Sequence, residues 1–133
     1  MDGDQSGDQS IPGGRLEYAV LAAVWDLGVA TAREVYDRVG MPLGLVYTTT
    51  ARVLDRLQVK GLVSREKIGK SFAYRARVAR RDIDHVRMSR ALSGFLTEEP
   101  RPALASLVDA IESIDPKLID ELARAVEARR RSR

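Results

Sequence analysis

The chain has 133 residues, 44% of them apolar, which is enough for one compact domain with an appendage and too few for two full-sized cores. It contains no cysteine, which excludes disulfides, thiolate metal sites and a cysteine nucleophile, and no apolar run approaches the ~20 residues that a membrane-crossing helix needs. The net charge of +3 is unevenly placed: residues 1–14 carry three acids and no base, residues 15–80 carry twelve Lys/Arg against six Asp/Glu, and residues 81–133 carry ten of each.

Met1 to Gly14 repeats Gly-Asp-Gln-Ser, lacks apolar periodicity and ends in Pro-Gly-Gly, which predicts a disordered tail over 1–14. Leu16, Ala19, Val20, Ala23, Val24 and Leu27 then mark one face of a first helix, with Trp25 beside that face as a core residue and Gly28 as the stop. Thr31 and Glu34 form a capping box that opens a short second helix, whose buried side is Val35 and Val39 and which ends at Gly40. Pro42 and Gly44 make the turn into a third helix. Its core-facing side is read from Val46, Thr50, Val53, Leu54 and Leu57. The rest of its surface begins with hydroxyls and an arginine and no acid, which suits a nucleic-acid groove.

Gly61 ends the third helix after Lys60, a cation placed favourably for the helix dipole. Leu62 to Glu66 and Phe72 to Arg77 alternate as strands about a turn at Gly69, forming a hairpin with Lys67 and Lys70 at its tip. Beyond it, Ile83 to Leu96 is a moderately amphipathic helix. Pro102 opens another, with a seam at Leu104, Leu107, Val108, Ile111 and Ile114. Asp115-Pro116 restarts the chain into a last helix with Leu118, Ile119, Leu122, Ala125 and Val126 on one side, ending in Arg129, Arg130 and Arg131. The predicted fold class is mostly α (α+β): a winged helix-turn-helix DNA-binding domain over 15–80, followed by a C-terminal helical dimerisation region over 81–133.

Within that scheme Thr48, Thr49 and Arg52 lie early in the third helix, where Arg pairs with guanine and a threonine methyl touches thymine; capping of the helix is the alternative role for the two threonines. Tyr47 places its hydroxyl on a phosphate or its ring in the core. Arg56 and Lys60 bind phosphates or solvate the helix. Lys67, Lys70 and Ser71 on the wing reach the backbone or minor groove and carry affinity more than sequence, unless the tip is an inert basic turn. His85, the only histidine, sits with Asp82 and Asp84, too few ligands for a metal site. No P-loop, dinucleotide motif or serine nucleophile with a nearby histidine is present, so neither catalysis nor a cofactor is expected. The rival class is a winged helix that binds protein.

Leu16-Glu17, the Leu21 to Trp25 spacing, Thr31 to Val35, Tyr47-Thr48-Thr49, Val53 to Leu57, Lys60 to Val63 and the wing's Gly69-Lys70 followed by Tyr74 resemble the BlaI/MecI/CopY repressors of bacteria. Single pieces also occur in winged helices of the MarR and PadR kinds, a ligand-responsive alternative; the ordered set is more specific. The resemblance implies a cytoplasmic, nucleoid-associated homodimeric repressor on a palindromic operator in double-stranded DNA, released by a signal. It implies dimerisation through the C-terminal helices, on which Leu92, Phe95, Leu104, Leu107, Val108, Ile111, Leu118, Ile119, Leu122 and Val126 are the candidate contacts. A membrane sensor protease is a further partner the family suggests. Its usual Asn-Phe cleavage point is absent here, because Gly94 precedes Phe95, and the lack of cysteine removes copper-thiolate sensing.

Overall fold

A computed structural model describes residues 11–133; the expected tail lies outside them as far as Ser10. Two compact units divide after Met88.

In the first unit, α1 (Arg15–Leu27) buries Val20, Leu21, Ala23 and Val24. After Gly28 the chain enters β1 (Val29–Thr31), three residues too short to show alternation and therefore invisible as a strand in the sequence. Thr31 closes the expected capping box: the Glu34 backbone N–H donates to Thr31 Oγ1 at 3.1 Å and the Thr31 N–H donates to Glu34 Oε1 at 2.8 Å. It opens α2 (Ala32–Val35), which loosens into one π-helical turn, Tyr36–Gly40, with the Met41 N–H reaching the Tyr36 carbonyl at 2.8 Å. A Cβ on Gly40 would collide with Thr50 Oγ1 and the Tyr36 ring, so this turn seats closely on the next helix only because residue 40 is glycine.

That helix, α3 (Tyr47–Val59), buries Thr50, Val53, Leu54 and Leu57. Val46, expected on the same side, is instead the N-cap, with extended backbone (φ −83°, ψ 158°) and 63% of its surface exposed. Helical spacing relates residues only inside a helix, and Val46 stands one residue before it. Beyond Gly61, β2 (Val63–Ile68) and β3 (Ser71–Ala76) pair antiparallel, and β1 joins the other edge of β3. Gly69, with φ 63°, is the first of the two residues that reverse the chain, the position a type II′ hairpin turn reserves for glycine. Ala30, Val63 and Tyr74 bring the sheet into the same core as α1 and α3.

The chain then starts α4 (Arg80–Leu96), and Ile83 at its beginning is fully buried in the first unit's core, although the sequence pattern assigns it to the C-terminal region. Trp25 is half-buried as a core-edge residue, its Nε1 donating to the Val78 carbonyl at 2.9 Å, and the Tyr18 hydroxyl donates to Asp84 Oδ1 at 2.6 Å. In the second unit, α5 (Pro100–Ile114) and α6 (Lys117–Arg131) follow, with Asp115 Oδ1 accepting the Lys117 N–H at 3.0 Å. No residue of α5 or α6 is buried.

Ile11 to Gly14 departs from the expected tail. Pro12 is buried, Ile11 packs on the core, and the segment is pinned through Glu17, a half-buried residue of α1. Glu17 accepts from Lys60 Nζ at 2.7 Å, from Arg56 Nε at 3.1 Å and from the Gly13 N–H at 2.8 Å, while Lys60 also donates to the Ile11 carbonyl at 3.3 Å. Burial pushes the Glu17 carboxyl upward, but the hydrogen bonds from Lys60, Gly13 and Arg56 outweigh it and hold its pKa below the usual carboxylate value. A carboxyl with a lowered folded pKa stabilises the fold above its unfolded pKa and loses that contribution as pH falls through the folded value. Glu17→Gln should therefore lower unfolding stability by about 1 kcal/mol near neutral pH, and the gap from the unaltered protein should close in acid. Denaturant titrations at several pH values check this; a gap that persists unchanged in acid would show that the ion pairs contribute nothing.

Candidate nucleic-acid interface

With its buried side fixed, α3 turns Thr48 and Arg52 to the opposite side, since residues successive in a helix stand about 100° apart. Both are exposed and Thr49 is half-buried. The first turn holds no acid, and the N-cap residue makes no side-chain cap. Of the opening N–H groups, that of Thr49 finds the Val46 carbonyl at 3.1 Å. The threonine hydroxyls do not cap the helix, and the side chains of Thr48, Thr49 and Arg52 make no hydrogen bond or ion pair among the described residues. Such a helix end is an electropositive surface with free donors, suited to phosphate and base edges.

Tyr47 has a divided role: its ring meets that of Tyr36 edge-on at 5.7 Å, yet 41% of the residue is exposed. It stands at the rim of a concavity of about 400 Å³ between α2, α3 and the wing, which Arg33, Asp55, Arg65, Lys70 and Phe72 also line. One face of the hairpin forms the far wall. Val63 pairs with Ala76, Arg65 with Tyr74 and Lys67 with Phe72, so alternation carries a single face from apolar at the core to basic near the tip. Arg65 lies 4.3 Å above the Phe72 ring and pairs with Asp55 Oδ1 at 3.0 Å, tying the wing to α3. Hydrogen bonding to Tyr74, more than the neighbouring Asp55, raises the Arg65 pKa above its ordinary value.

The structure thus gathers Tyr47, Lys70 and Ser71 at one groove, with Thr48, Thr49 and Arg52 on the adjoining side of α3 and Lys67 on the wing face that carries Arg65. Arg56 and Lys60 stand apart. They occupy the other flank of α3, where both bond Glu17, so their charge braces α1 against α3. Sequence reasoning missed Arg33, Arg65 and Phe72. The alternation that exposed Phe72 and Tyr74 as one face identifies Arg65 once the register is known, and the capping box alone places Arg33 at the start of α2.

In the second unit Leu92, Phe95, Leu96, Ala103 and Leu107 line an apolar concavity of about 570 Å³ between the end of α4 and α5. Leu104 (50%), Val108 (43%) and Val126 (48%) are exposed, and Ile111, Leu118, Ile119 and Leu122 are half-buried. No helix among the described residues is long and apolar enough to cross a membrane.

A family model described as penicillinase repressor matches residues 13–128. Among solved structures, the chain is similar to the DNA-binding domain of the repressor BlaI (24% identity, over 56% of this chain and 92% of that one, TM-score 0.49). It is similar also to the PcaV transcriptional regulator of Streptomyces coelicolor (25% identity, 82% and 79%, TM-score 0.46) and to a MarR family protein of Bacillus stearothermophilus (19% identity, 80% and 76%, TM-score 0.46). No curated protein sequence matches it.

Two kinds of contact on DNA are expected of these side chains. Arg52→Ala should weaken binding to a selected site by about 1–3 kcal/mol and relax preference at one base position. Lys70→Ala should weaken binding to all sequences alike and reduce the slope of log affinity against log salt by about one. Site selection and salt titration on both variants measure this. An unchanged base preference in Arg52→Ala, or a loss confined to the selected site in Lys70→Ala, would reverse the assignment.

Proposed function

The chain belongs to the penicillinase repressor family and is a DNA-binding transcriptional regulator, and from that premise we propose that it represses by occupying a palindromic operator as a homodimer until a signal releases it. The observation that supports this best is the start of α3, uncapped and acid-free, with Thr48, Thr49 and Arg52 unpaired beside a basic groove wall. Thr48, Thr49 and Arg52 read bases in the major groove, Tyr47 and Arg33 contact the flanking phosphates, and Lys67, Lys70 and Ser71 hold the backbone beside the wing. Arg56 and Lys60 keep α3 in place and are left out of the contact set. The protein acts in the cytoplasm, on the nucleoid.

The second unit supplies the dimer contact. Its helices expose Phe95, Leu104, Val108 and Val126, with Leu92, Leu107, Ile111, Leu118, Ile119 and Leu122 half-covered beside them, and 45 residues are too few to close a core alone. A two-fold pairing of the same patch covers them and sets two recognition helices about 34 Å apart, one turn of DNA.

Selection from a randomised duplex library at low and raised salt tests the reading. A two-fold site should emerge, with affinity falling steeply as salt rises; no retained DNA at low salt would overturn it. In a Leu107→Asp, Leu122→Asp double variant, solution mass should fall to that of the monomer and affinity for the two-fold site should drop about a hundredfold or more. A folded dimer with unaltered affinity would place the interface elsewhere.

A further inference from the structure

The turn that delivers α3 exposes three large apolar side chains within a short stretch: Met41 is 51% exposed, Leu43 63% and Val46 63%. Turns and N-caps ordinarily carry polar residues, and Ser, Thr, Asp or Asn is preferred at the N-cap because its side-chain oxygen takes one of the helix's free N–H groups. Val46 makes no such bond and leaves a branched aliphatic group in water. Both choices work against the stability of the isolated chain, and both fall at the one helix end that also leaves Thr48, Thr49 and Arg52 without partners.

We propose that Val46 determines specificity by packing on the C5-methyl group of a thymine in each half-site. The inference rests on the reading of α3 as the recognition helix. A helix entering the major groove by its N-terminus brings its N-cap residue to the base edges together with the first turn. Among the base edges there, the thymine methyl is the apolar feature that an aliphatic side chain can cover. Valine suits this contact because its branched Cβ leaves few χ1 rotamers, so its methyls are already placed and little freedom is lost on binding. Leu43 and Met41, further back in the turn, are exposed apolar side chains as well. The absence of any acid in the first turn keeps this helix end compatible with a polyanion. Hydroxyl, guanidinium and methyl readout then fall within Val46 to Arg52, the N-cap and opening turns of α3.

The test uses the full chain and the operator recovered by selection, with each thymine replaced in turn by deoxyuridine, which removes the C5-methyl and leaves base pairing intact. The unaltered protein should lose about fourfold in affinity at one thymine per half-site, the equivalent of ~0.8 kcal/mol for one buried methyl-sized group. Val46→Ser should bind the operator weakly to the same extent and be indifferent to deoxyuridine at that position, while responding like the unaltered protein at every other. Serine is the better N-cap, so the variant should melt no lower than the unaltered protein, which separates lost contact from lost fold. Val46→Thr, which keeps one methyl and adds a cap oxygen, should retain part of the deoxyuridine effect. If the unaltered protein binds the operator but ignores every deoxyuridine, or if Val46→Ser keeps the full loss, the proposal is overturned and these apolar side chains serve another partner. A protein that retains no DNA at all overturns the repressor reading instead.

Discussion

Val53, Leu54 and Leu57 of α3 share one fully buried cluster with Val20, Leu21 and Val24 of α1, and this contact sets the rotation of α3 about its own axis. Each such side chain contributes roughly 1.5–3 kcal/mol when taken out of water, whereas an exposed ion pair contributes under about 1 kcal/mol, so burial decides the rotation and the ion pairs only refine it. Turning α3 by one residue would swing the helix about 100°, remove Arg52 from the side opposite the core and send a charged or hydroxyl side chain inward. Glu17 braces one flank of the helix through Arg56 and Lys60, and Asp55 ties the other flank to the wing through Arg65. Gly40 adds a steric limit, because the preceding turn fits against Thr50 with no room for a side chain. The outward face is therefore held from three directions before any ligand arrives.

Charge and apolar surface are divided between the two units. Residues 15–80, within the first unit, carry twelve bases against six acids, while the second unit, residues 89–133, is balanced at eight of each. A basic surface with Arg33, Arg65 and Lys70 around one concavity, and Lys67 further along the wing, draws a polyanion from a distance, an attraction that weakens with salt. The balanced second unit has no such pull. Its surplus is aliphatic, and exposed seams on α5 and α6 fit a short-range, self-complementary contact better than an electrostatic one.

Much of this was legible in the sequence because the signals were local and repeated. Apolar spacing of three and four located α1 and α3, the Thr31 and Glu34 box and the Gly61 stop located helix ends, and alternation about Gly69 located the hairpin. What escaped depends on distant partners or on single residues. Three residues of β1 cannot display a period, and they become a strand only because β3 lies alongside. The pairing of Glu17 with Lys60 spans 43 positions, so charge type alone could not separate Arg56 and Lys60 from the cations of the groove. Ile11 reads as tail because its partners are the core and Lys60, both distant in sequence. Ile83 is buried in the core of the first unit, which no spacing within α4 announces.

The misplacement of Val46 carries a different lesson, since its apolar character fits the pattern of Thr50 and Val53 although it stands outside the helix, exposed to water. Natural sequences obey local rules of capping, patterning and polar satisfaction closely, and their departures concentrate where function competes with stability. Several such departures share one neighbourhood. An aliphatic N-cap exposed to water, a first turn with unpaired hydroxyls, an arginine without an acid and a buried Thr50 Oγ1 without a hydrogen-bond partner all fall between residues 46 and 52. Within α1, α2 and the wing turn, by contrast, glycine stops, the capping box and the hairpin turn follow the rules. Thr50 fits the same account without touching DNA. A hydroxyl enclosed beside Gly40 gives up a hydrogen bond to let the turn and α3 approach closely.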